Sequence, residues 1–137
     1  MTMKRYPDWK PRLIAWLAKA AGTPYRPGTH DCALFAAGAV EAMTGVDLAA
    51  GFRGTYTTVE EGFERLRAAG FADHVAMAEA HFDRIAIALA QPGDLAVLST
   101  PDGPALGVVQ GEYIYVPCAG SIGLVPIIEA NHALRVN

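Results

Sequence analysis

Near Gln91 the hydrophobic period of this chain changes. From Asp8 to Ala80 apolar residues recur three and four positions apart; from Gln91 to Val136 they fall in short runs broken by tight turns. A helical period followed by a strand period predicts helices first and then antiparallel strands, an α+β fold with the helices packed on the sheet. At 137 residues the chain is expected to form a single domain over 1–137. That length buries a core without disulfide or metal staples.

The first helix carries Trp9, Leu13, Trp16, Leu17 and Ala20 on one stripe, with Asp8 as its N-cap and Gly22 at its end. A second, alanine-rich helix runs to about Thr44; its small residues allow another element close to its backbone. Thr58-Val59-Glu60-Glu61 reads as a capping box for a third helix, with Glu61 reaching back to the Thr58 N–H. A short helix over about Ala72–Ala80 follows. His74 and His81 at its flanks read as solvated or helix-end residues. Asp83–Ala88 suits either a strand or a last helical turn. About five strands complete a meander: Asp94–Ser99, Ala105–Gln110, Tyr113–Pro117, Ser121–Ile128 and His132–Val136. The turns between them are Thr100–Gly103, Gly111-Glu112 (glycine first, as a type II′ turn requires) and Ala119-Gly120. Pro117 and Pro126 place their strands at edges or bulges.

Thr29-His30-Asp31-Cys32-Ala33-Leu34-Phe35 sits where a loop rich in proline and glycine meets the second helix. Asp31 is a good N-cap, which puts Cys32 in the first helical turn, where the helix dipole favours a thiolate. A cysteine so placed, with a histidine close by in sequence, is a candidate nucleophile. A small buried thiol in an alanine-rich helix is the competing reading. Cys118, after a proline, reads as structural. Arg53 and Tyr56, in a connection with two glycines, are candidate binding residues together with Asp31.

Other classes are disfavoured. The net charge is −3 and the eleven basic residues are dispersed, so there is no electrostatic footprint for nucleic acid. No His/Cys/Asp/Glu spacing suits a metal and no glycine-rich loop suits a phosphate, so no cofactor is expected. The N-terminus lacks the apolar run of a signal peptide, and no stretch is long enough for a membrane span. Synthesis in the cytoplasm is the expectation.

The order of motifs resembles the NlpC/P60-type papain-like fold. In that family an Asp-Cys pair opens a helix, a Gly-Asp-Leu strand follows, and the next strand begins His-Val-Gly. Asp31-Cys32 and Gly93-Asp94-Leu95 match the first two signatures. Ala105-Leu106-Gly107-Val108 lies where the third would be, so alanine stands at the general-base position. More closely, the chain is similar to a phage and prophage family of this type, of unknown function and found among tail genes. Pro7-Asp8-Trp9, His30-Asp31-Cys32, Met43-Thr44-Gly45-Val46-Asp47, Phe52-Arg53-Gly54-Thr55-Tyr56 and Leu134-Arg135-Val136 carry that likeness.

The resemblance implies Cys32 as nucleophile and an orienting polar group near Tyr115, a further candidate binding residue. With Ala105 unable to act as base, His30 is a weak substitute and His132 a weaker one. The resulting expectation is a degenerate, non-catalytic tail or baseplate component of the virion. It would act in tail assembly or cell-envelope engagement and have other tail proteins as partners. The alternatives are an active peptidoglycan endopeptidase that uses Cys32 with an unconventional base during genome entry, and a module that binds cell-wall peptides without cutting them. One observation separates the first two: whether a basic group lies within hydrogen-bond reach of the Cys32 sulfur.

Overall fold

The structure, a computed structural model, describes residues 3–101, 103–118 and 121–137, without the side chains of Cys118, Ser121 and Ile122. The Ala119-Gly120 turn, Asp102 of the preceding turn and the reading of Cys118 lie outside the described residues. Helices α1 (Trp9–Ala21), α2 (Cys32–Thr44), α3 (Val59–Ala68) and α4 (His74–Glu79) come first. Strands β1 (Asp83–Ile85), β2 (Leu95–Thr100), β3 (Gly103–Gln110), β4 (Tyr113–Cys118), β5 (Ser121–Pro126) and β6 (His132–Arg135) follow. The fold is α+β, as the change of period predicts.

The sheet has six strands in the order β1-β6-β2-β3-β4-β5, every pair antiparallel. Two features differ from a five-stranded meander. Asp83–Ile85 is an edge strand, and β6 crosses back to lie between β1 and β2. Alternation fixes which face a side chain takes, but not which strand its backbone pairs with.

Leu95–Leu98 of β2 are all buried, because both faces of this central strand are covered. On one face Leu95, Val97, Leu106, Val108 and Leu134 pack with Leu13, Leu17, Phe35, Val40 and Met43 of α1 and α2. On the other, Ala96, Leu98, Val109 and Ile114 pack with Ile87 and Ile127 of two short 3-10 turns. The small residues of α2 admit Trp16: a Cβ on Gly38 would lie 2.3 Å from its ring, and its indole N–H donates to the Phe35 carbonyl at 3.2 Å. Pro126 is on the edge strand β5. Pro117 lies past the point where β4 leaves β3, whose pairing with it covers only Val108–Gln110 and Tyr113–Tyr115.

Two caps differ from expectation. The Asp8 carboxylate accepts from Arg12 Nε at 2.8 Å and makes no cap bond. Thr58 Oγ1 accepts from the Glu61 N–H at 3.1 Å, but the Glu61 carboxylate reaches the N–H and hydroxyl of Thr57, one residue further back.

Asp94 of the Gly-Asp-Leu signature is 1% exposed and serves the fold. It accepts from Arg5 Nη2 at 3.1 Å and from the Val136 and Gln91 N–H groups, tying both chain ends to the start of β2. Asp94→Ala strands a largely buried guanidinium and a buried N–H. It is expected to cost about 3–5 kcal/mol in denaturant unfolding. Asp8→Ala, which removes an exposed pair, should leave the unfolding midpoint unchanged.

Candidate functional site

The site begins with the loop before α2. Gly28 has φ +84°, and a Cβ there would lie 1.8 Å from the Tyr56 carbonyl oxygen, so only glycine fits. Its N–H donates to Asp31 Oδ2 at 3.1 Å, and its carbonyl accepts from the Gly54 N–H at 2.8 Å. Asp31 Oδ1 caps α2 by accepting from the Leu34 N–H at 2.9 Å. The Tyr56 hydroxyl donates to Asp31 Oδ2 at 2.5 Å. Burial, and then this bond to a carboxylate, hold the Tyr56 phenol protonated far above its ordinary range. One carboxylate thus joins the loop, the helix start and the 46–57 connection.

Cys32, the first residue of α2, is half-buried with its sulfur against β3. The Leu106 N–H donates to Sγ at 3.1 Å, and Sγ lies 3.1 Å from the Leu106 carbonyl oxygen. The pleat makes this contact available. Val109 directs its N–H and C=O to Asp94 and Gly93 on the β2 side, so Leu106, three residues back, directs its own to the opposite edge. There β4 pairs with β3 only from Val108 onward, and the thiol takes the place of a strand.

The third neighbour of the sulfur is His74, whose Nε2 is 3.5 Å from Sγ. His74 opens α4, capped by Asp73, whose carboxylate accepts from the Ala76 N–H at 2.8 Å. Two Asp-capped helix starts therefore converge on one sulfur. A thiol has one proton, which goes either to the Leu106 carbonyl or to His74. If it moves to His74, the Leu106 N–H remains to stabilise the thiolate.

Burial opposes that transfer in the resting protein. It pushes the Cys32 thiol up to about 11, against the lowering effect of the Leu106 N–H bond. It also lowers the His74 pKa, against the opposite pull of the Asp73 and Asp31 charges. Once the proton has crossed, opposite charges at this spacing attract by about 5 kcal/mol at an effective dielectric near 20, which offsets part of the penalty. The arrangement suits a neutral imidazole that takes the thiol proton as a bond to carbon forms.

The remaining candidates take other places. Tyr56 and Asp31 line the cavity beside Cys32, as does Ala105, which offers no basic atom. The His30 ring is buried against Trp16 and Phe35 and does not line that cavity. Arg53 pairs with Asp47 at 3.0 Å, and Tyr115 packs against the main core. His132 pairs with Glu79 at 3.0 Å. The imidazole beside the sulfur is that of His74, which the sequence reading left as a solvated or helix-end residue. The available signal was the repeated local pattern, Asp73-His74 echoing Asp31-Cys32 as a capping aspartate followed by a reactive side chain. Among the described residues no cluster suits a metal ion, and no helix is long and apolar enough to cross a membrane.

The profile of one family, described as a domain of unknown function (DUF6950), matches residues 4–136. The chain belongs to that family. This DUF6950 domain is also similar in fold to the crystal structure of the NlpC/p60 domain of the peptidoglycan hydrolase SagA. The TM-score is 0.59 at 20% identity, covering 91% of this chain and 97% of that one. The shared architecture is thus the NlpC/P60-like fold. No curated protein matches the sequence.

In Cys118→Ser protein, alkylation of Cys32 by iodoacetamide should rise through the alkaline range with a midpoint near 11. A free cysteine titrates at about 8.5. A midpoint at or below that value would contradict the account of a buried, protonated resting thiol.

Proposed function

We propose that this protein is a cysteine hydrolase of amide bonds in cell-wall peptides, with Cys32 as nucleophile and His74 as general base and acid. The observation that carries the reading is the 3.5 Å approach of His74 Nε2 to Cys32 Sγ beside an open cavity. The expectation of an inactive fold rested on Ala105; His74 brings a basic nitrogen to the sulfur from α4 instead. Cell-wall peptides are proposed on the likeness to a domain of a peptidoglycan hydrolase.

The chemistry follows from these groups. Sγ attacks the carbonyl carbon while its proton passes to His74 Nε2. With the Leu34 N–H taken by Asp31, the Cys32 and Ala33 N–H groups, at the positive end of the α2 dipole, are the donors for the developing negative charge. His74 then protonates the leaving amine, and a thioester remains on Cys32. Water, deprotonated by His74, attacks that thioester, releases the carboxylic acid and restores the thiol. Because the base must be neutral and burial lowers its pKa, the acid limb of activity should fall below the ordinary histidine value of about 6.5.

We further place the enzyme in a phage tail tip or baseplate, with tail proteins as partners. This rests on the resemblance of its motifs to tail-gene sequences. Mass spectrometry of purified particles from a host carrying the gene tests that placement; absence from the particles rejects it.

Hydrolysis is read by mass analysis of digested muropeptides. Cys32→Ala should fall to background. His74→Ala should lose about 10²- to 10⁴-fold in kcat/KM, the usual worth of a positioned base. His30→Phe should retain activity. If His74→Ala matched wild type, the assignment of the base would be wrong.

A further inference from the structure

A histidine that takes a proton from its nucleophile needs a third group to orient the ring and support the imidazolium. Among the described residues no hydrogen bond reaches Nδ1 of His74, so that support is not a bonded partner. What remains is charge. The titratable groups that share the cavity with His74 are Tyr25, Asp31, Cys32, Tyr56 and Glu60. Strand β3, packed against α4, carries none. The other charged residues of α3 (Glu61, Glu64, Arg65 and Arg67) are exposed and outside the cavity. At the far end of α4, Glu79 pairs with His132, and His81 Nδ1 lies 2.9 Å from the Met77 carbonyl oxygen. Asp73 immediately precedes His74.

Against the lowering effect of burial, two carboxylates pull the His74 pKa upward, Asp73 more than Asp31. The difference has a structural cause. Asp31 spreads its charge over three donors, the Gly28 and Leu34 N–H groups and the Tyr56 hydroxyl. Among the described residues the Asp73 carboxylate accepts only from the Ala76 N–H, at 2.8 Å. That bond ties Oδ1 to the first turn of α4 and leaves Oδ2 uncommitted, one residue from the imidazole. Asp73 is half-buried and does not line the cavity, so it acts on a substrate there only through His74.

We propose that Asp73 is a positioning residue for the base. Its carboxylate charge, held at the start of α4 by the cap bond, stabilises the imidazolium that forms when His74 takes the Cys32 proton. The cap is the means and the charge is the function. This deepens the reading of His74 as general base and rests on it.

Two variants separate charge from cap. Asp73→Asn keeps a good cap acceptor and removes the charge; Asp73→Glu keeps the charge and gives up the good cap. The His74 ring Cε1–H resonance is followed against pH by NMR, with His74→Gln identifying it among the four histidines. Asp73→Asn should lower its midpoint by about half a pH unit, the effect of a unit charge at roughly 6 Å even in water. Loss of the charge destabilises the imidazolium, so the acid limb of kcat/KM on muropeptides should move down with it. The plateau should fall about threefold, the same energy read as a rate. Asp73→Glu should keep the wild-type midpoint. No shift in either variant, or a shift in Asp73→Glu alone, would reduce Asp73 to a helix cap and overturn the proposal. The titration needs no substrate, so it decides the role of Asp73 by itself. Failure of the wild type to cut muropeptides would instead reject the hydrolase reading.

Discussion

The buried carboxylate of Asp31 is where the functional half of the molecule is tied together. It accepts from Gly28, Leu34 and Tyr56, which belong to the loop, the helix and the connection respectively. Without these bonds the Cys32 N-terminus of α2 would have no fixed entry, and the connection that walls the cavity would have no anchor. Gly28 makes the arrangement possible, since its missing side chain lets the Tyr56 carbonyl approach. The sulfur is then held by the Leu106 backbone at the open edge of β3, with the His74 imidazole as its side-chain neighbour.

Burial sets the chemical character of the pair. A solvent-exposed cysteine at a helix start would gain from the dipole and ionise readily. Here the same position is covered by β3 and α4, and desolvation outweighs the dipole, so both Cys32 and His74 rest neutral. Such a pair is quiet toward small electrophiles at neutral pH. It is suited to react where a bound substrate supplies a carbonyl within reach, because proton transfer and bond formation then occur together.

Much of the fold was legible in the sequence because it depends on local rules. The change of period separated the helices from the main run of strands, although the edge strand β1 begins earlier, at Asp83, and the Asp31 cap placed Cys32 in the first turn. The Gly111-Glu112 turn joins β3 to β4 with positive φ at the glycine alone, as type II′ demands. What stayed hidden depends on contacts distant in sequence. The passage of β6 between β1 and β2 is a choice of backbone partner that alternation does not encode. His74 is 42 residues from Cys32, and only the packing of a six-residue helix brings it to the sulfur. The expected base position, Ala105, drew attention to β3, whereas the imidazole comes from α4, which packs against that strand. His30 looked plausible because of its closeness in sequence, but its ring turns into the Trp16–Phe35 packing.

The claim that Cys32 and His74 act on one carbonyl is tested most directly by intact-mass spectrometry during reaction with an activated ester, the p-nitrophenyl ester of acetyl-phenylalanine. The account predicts a transient acyl adduct mapped to Cys32, absent in Cys32→Ala. In His74→Ala the adduct, once formed, should persist, because no base remains to activate water against the thioester. An ester hydrolysed at the same rate by Cys32→Ala, with no adduct on the wild-type sulfur, would contradict it.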